Sequence, residues 1–148
     1  MLNVALVALL TALQPSTPPQ PATPAQPEVK GQACTARELV GTWQIIDVPA
    51  IPGVTSVLKH VTPTHYFVVW LGGNGVVQAG HGGPQTFANG THTTSIEHGF
   101  GPVFEKYRGA SGTYQCRLNG DIWHNVGENQ GIKINEQWRR VTGTSAPR

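Results

Sequence analysis

The sequence predicts an all-β fold, a single antiparallel up-and-down β-barrel of about 8–10 strands. Three observations carry that expectation. From Glu38 onward, short runs rich in β-branched and aromatic residues follow one another, with hardly a segment of helical periodicity. The joints Gly72-Gly-Asn-Gly75, Asn89-Gly90, Asn119-Gly120 and Asn129-Gln-Gly131 supply residues that tolerate positive φ, as tight hairpins require. The 148 residues, less an N-terminal stretch with nothing large to bury, leave about 110–120 for one core, enough for a small barrel and too few for two domains.

Asn3 to Leu13 is an apolar run of signal-peptide core length, too short to cross a bilayer of about 30 Å comfortably as a helix. Residues 1–14 therefore read as an export signal or, uncleaved, a hydrophobic anchor. Residues 15–33 read as a disordered Pro-rich linker, because six of the twelve prolines fall between Pro15 and Pro27 and favour an extended, solvated chain. Residues 34–142 form the expected barrel and residues 143–148 a disordered tail.

Within the barrel the expected strands are Val40 to Val48, Ser56 to Val61, His65 to Leu71, Val76 to Ala79, Thr91 to His98, Thr113 to Leu118, Ile122 to Val126 and Ile132 to Val141. Ala36 to Leu39 and Phe100 to Ala110 do not read as strands; the first fits a helical turn plugging one barrel end.

All ten Lys+Arg and all eight Asp+Glu lie from Glu28 onward, giving a net charge of +2. So weak a balance, with no basic cluster beyond Arg139-Arg140, argues against a nucleic-acid partner. Cys34 and Cys116 are an even pair in a small domain, which suits a disulfide in an oxidising compartment; two unrelated buried thiols are the alternative. A bridge would close a loop of about 80 residues and stabilise the fold by roughly 4 kcal/mol on the chain-entropy model. With the apolar N-terminal run, this predicts a secreted or periplasmic protein, with membrane contact only through an uncleaved N-terminal segment if at all.

Gly41-Thr-Trp43 on the first long strand and Trp138-Arg139-Arg140 on the last resemble the calycin signature, which implies that Trp43 packs under Arg140 as a structural device beside Gly41. Together with Lys59-His-Val-Thr-Pro-Thr-His65, Ile96-Glu-His-Gly99, Gly120-Asp121 and Ile134-Asn-Glu-Gln-Trp-Arg-Arg140, these motifs are similar to the lipocalin-like domain of unknown function found in exported bacterial proteins. The resemblance covers roughly Glu38 to Val141 and implies a hollow barrel more than a reaction. The chain departs from it at His98, where Tyr is usual, and at Thr94-Ser95, where a Glu-His pair is usual.

Period-2 alternation on the last strand puts Ile132, Ile134, Glu136, Trp138 and Arg140 on one face, read as inward. A carboxylate there must find a partner or raise its pKa, so Glu136 either pairs with a buried cation such as Arg140 or meets a ligand. His60 and His65 flank Thr62 and Pro63, a bend of the kind that re-aims side chains beside sites. Glu97 is placed inward by the resemblance. Trp70, Trp123 and Trp138 are candidate aromatic walls. The six His residues have no metal-site spacing, so no metal and no cofactor is expected; a three-His site drawn from several strands is the alternative.

The expected ligand set is thus His60, Thr62, His65, Trp70, Glu97, Trp123, Glu136 and Trp138, around a small hydrophobic or amphipathic molecule. No nucleophile elbow, phosphate loop or paired-Cys metal motif is present, and no catalytic residue is assigned. The first functional reading is a binding barrel. The alternatives are an enzyme using a cavity carboxylate with His65, and a side-chain-filled interaction domain.

Overall fold

The computed structural model describes residues 30–143. The expected export segment, most of the linker and the tail beyond Gly143 lie outside the described residues.

The elements are β1 (Gln32–Ala33), α1 (Ala36–Leu39), β2 (Gly41–Ile45), β3 (Val54–Val61), β4 (His65–Gly72), β5 (Val77–Ala88), β6 (Thr91–Ser95), β7 (His98–Phe100), α2 (Gly101–Tyr107), β8 (Ser111–Asn119), β9 (Ile122–Asn129) and β10 (Ile132–Arg140). Each barrel strand pairs antiparallel with the next, β6 pairs with β8, and β10 returns to β2, closing an all-β barrel of eight strands. β1 and β7 are short additions on β8 and β5. β1 starts the ordered fold two residues ahead of Cys34, inside the segment expected to be linker.

Alternation fixes which side chains face inward. β3 turns Val57, Lys59 and Val61 into the barrel, β4 turns Tyr66, Val68 and Trp70, and β8 turns Tyr114, Cys116 and Leu118. One end is packed solid. There Leu39, Trp43, Val61 and Trp123 are fully buried, with Trp43 meeting Trp123 edge to face at 5.5 Å. The expected helical turn is α1, held by a Thr35/Glu38 capping box, and its Leu39 carbonyl accepts from Trp43 Nε1 at 2.8 Å.

Arg140 latches the seam between first and last long strands. Its guanidinium lies 4.2 Å from the Trp43 ring centroid, donates to the carbonyls of Val40 (3.1 Å) and Glu38, and approaches Asp121 at 3.5 Å. Gly41 leaves room for it: a Cβ there would stand 3.2 Å from Arg140 Nη1.

The strand expected over Val76 to Ala79 is the twelve-residue β5, running on through Gly80, Gly82, Gly83 and Pro84. These residues read locally as breakers. In the fold, Gly82 is required because a Cβ would come within 2.3 Å of the Tyr66 carbonyl, and the half-exposed Phe67 and Phe100 rings lie over Gly80 and restore its cover. The strand expected over Thr91 to His98 divides into β6 and β7 at the same bend, because β5 exchanges one neighbour for the other there.

Cys34 and Cys116 form a disulfide across 82 residues of chain, which suits a non-reducing environment. Reduction, or the pair Cys34→Ala/Cys116→Ala, is expected to lower stability by about 4 kcal/mol, read as the loss of extrapolated unfolding free energy in urea.

Candidate functional site

The inward side chains do not fill the barrel. They leave a cavity of about 190 Å³. A dry cavity of about 150 Å³ holds a benzene-sized molecule, whereas drug-sized ligands take about 300 Å³ or more. Val57, Val68, Trp70 and Trp138 form apolar walls, and half-buried Ile45, Val103, Tyr107 and Ile134 form a rim at the end away from Trp43.

The one ion pair on the cavity wall is Lys59 with Glu136, 3.5 Å apart. Lys59 Nζ lies 3.9 Å from the Trp138 ring centroid and 4.6 Å from that of Trp123, two π-faces that favour a cation. Glu136 Oε2 also accepts from Trp138 Nε1 at 2.9 Å, which fixes the carboxylate against the ammonium. Burial pushes the Lys59 pKa down, and the neighbouring carboxylate offsets part of that fall. The expected buried cation beside Glu136 is therefore Lys59; Arg140 is committed to the latch.

The other polar groups on the wall are neutral near pH 7. His92 stacks on Phe87 at 4.5 Å, its Nε2 lies 3.1 Å from Gln85 Oε1, and its Nδ1 meets the Asn125 amide at 3.3 Å. Burial, with Lys59 adding repulsion, lowers its pKa to about 3. His81, 5.0 Å from the Trp70 ring, is lowered to about 4 by the same two causes. Burial raises the phenols of Tyr66 and Tyr114, so both stay protonated.

Of the residues expected to meet a ligand, Trp70, Glu136 and Trp138 line the cavity, and Trp123 lies beneath Lys59 as its floor. Four do not reach it. His60 faces outward beside Thr42 Oγ1 at 3.1 Å, because Lys59 takes the inward position on β3. Thr62 Oγ1 is spent on the backbone of His65, and the exposed His65 ring sits 2.9 Å from Thr64 Oγ1. The β6 side turns His92, Thr94 and Ile96 inward, which sends Glu97 out to solvent near His98, correcting the placement that the resemblance implied. The bend still serves the site indirectly: the Thr62 and His65 carbonyls accept from Gln85 Nε2 at 2.7 and 2.9 Å, which aims Gln85 Oε1 at His92. With His65 outside, the acid–base pair of Glu136 and His65 is not assembled.

Lys59, Tyr66, His81, His92 and Tyr114 are cavity residues that the sequence reading missed. Lys59 had a visible signal, its place between Val57 and Val61 on one strand face. Among the departures from the resembled pattern, Thr94 lines the cavity while Ser95 pairs with Ser111 at 3.0 Å.

No protein-family model matches the chain, and no curated protein matches it.

The two buried imidazoles set a pH dependence. Their folded pKa values of about 3 and about 4 lie below the value near 6.5 of an unfolded chain, so the unfolded state binds more protons between these limits. Stability is expected to fall as pH drops from about 6.5, by up to about 1.4 kcal/mol per pH unit for each ring. Urea titrations at stepped pH would show it, with His92→Gln giving a shallower slope than the parent chain.

Proposed function

We propose that the chain is an exported lipocalin-like barrel that binds a small, partly apolar molecule in its cavity. One observation carries this reading: a void of about 190 Å³ behind apolar and indole walls, with a few polar side chains held in fixed orientation. A barrel serving only as an interaction domain has no use for that void. Side-chain truncations of this size leave cavities that cost several kcal/mol, so close packing is the default.

The calycin part of the proposal rests on the closed meander together with Arg140 over Trp43. Export to a secreted or periplasmic location rests on the apolar run in residues 1–14 and on the Cys34–Cys116 bridge. The Pro-rich linker would then space the barrel from whatever holds its N-terminus.

The test is native mass spectrometry of the full chain, expressed with its N-terminal segment and recovered from the periplasm without refolding. The expected result is a mass excess that disappears on denaturation. Val68→Phe should narrow the void, diminish the excess and keep the barrel's far-UV spectrum, at about 1–3 kcal/mol of stability. A bare parent chain, whose unfolding temperature neither benzene nor indole raises, would sink the reading.

A further inference from the structure

We propose that Lys59 is a covalent attachment point, which captures a small apolar aldehyde as a reversible imine inside the cavity. The inference rests on the binding reading above and gives its occupant a chemical class.

A structural role does not account for Lys59. A buried ion pair is commonly no more stabilising than apolar side chains of similar volume, and Val57 and Val61 on the same strand face show what the barrel otherwise uses there. Lys59 and Glu136 both line the cavity, so the pair stands beside whatever occupies the void.

The surroundings provide for each stage of imine formation. Glu136, fixed by Trp138 Nε1 and 3.5 Å from Lys59 Nζ, takes one ammonium proton and frees the amine lone pair. Burial already favours that loss. The amine adds to the aldehyde carbon, forming a C–N bond as the C=O π bond breaks, and a proton passes from that nitrogen to the oxygen, which becomes a hydroxyl. Glu136 returns its proton to that hydroxyl, the C–O bond breaks, and water leaves with the C=N bond formed. The sum is one ammonium plus one aldehyde giving one protonated imine and one water, with the Glu136 carboxylate regenerated and no oxidant or reductant.

Charge favours the same product. A protonated imine carries the single positive charge that the ammonium carried, so Glu136 and the faces of Trp123 and Trp138 hold it as they hold Lys59. An aldehyde enters uncharged. An incoming carboxylate would meet Glu136, and an incoming amine would meet Lys59, each at the cost of its own hydration. The walls beyond the pair are apolar or neutral, and the void suits a single ring.

The test treats the full chain at pH 7 with benzaldehyde and cyanoborohydride, which reduces an imine to a stable benzyl amine, and then maps Lys30, Lys59, Lys106 and Lys133 by peptide mass spectrometry. The other three lysines are exposed and serve as internal controls. Lys59 is expected to be benzylated at least about tenfold faster than each of them, because a base beside it and burial both favour the free amine. Glu136→Gln should slow labelling at Lys59 alone, by about tenfold or more. Benzyl alcohol, the same ring without a carbonyl, is the parallel probe in thermal unfolding. If it stabilises the chain while benzyl groups spread evenly over the four lysines, attachment is overturned and cavity binding stands. If it does not stabilise and Lys59 is not selectively labelled, both fall.

Discussion

A sheet that closes on itself leaves no free edge, and in this chain closure happens where β10 meets β2 through the pairs Trp138–Ile45, Arg139–Gln44 and Arg140–Trp43. That seam is short beside the eight paired positions of β10 with β9, and its strands lie at opposite ends of the fold sequence. Backbone bonds from Ile46 to Gln137 and from Val141 to Thr42 extend it by one step each way. Arg140 adds what a short ladder lacks. It reaches past its own strand to carbonyls on either side of Leu39, and its guanidinium covers Trp43. The seam, α1 and the floor of the cavity are thus one packed unit, and the hollow above depends on it.

Above that floor the interior is organised by charge as much as by shape. A lysine and a glutamate in a low-dielectric barrel must lie together, and the Trp138 indole joins them from both sides, its face under Lys59 and its N–H on Glu136. The remaining titratable groups answer to the same burial by staying neutral, with His92 and His81 losing protons and Tyr66 and Tyr114 keeping theirs. The void is therefore polar only at chosen points, unlike an apolar packing defect.

What could be read from the sequence was whatever local pattern decides. Turn residues marked the hairpins, and alternation on β10 put Ile134, Glu136 and Trp138 on the cavity side, where they are. What could not be read depends on distant neighbours. Gly80 to Ala88 looks like a broken strand until Phe67 and Phe100 lie across it. His65 and Tyr66 are adjacent, and only the exit angle after Pro63 determines which of them faces inward. Lys59 sat in plain alternation with Val57 and Val61, yet its charge argued for solvent, since Glu136 and Trp138, which make burial tolerable, come from the last strand.

The two ends of the barrel differ in how they are held. The closed end combines the Arg140 latch, the disulfide and the fully buried Trp43 and Trp123. At the rim, α2 contributes Val103 and Tyr107 to the cavity, but its anchor is a separate small cluster of Ile96, Phe104 and Ala110. α2 begins at Gly101 and is followed by Gly109, both at positive φ, so the chain turns sharply at either end of the helix. Local opening free energies follow local burial, and α2 rests on that small cluster and, through Val103, on the edge of the main core. The closed end is thus the more deeply packed of the two.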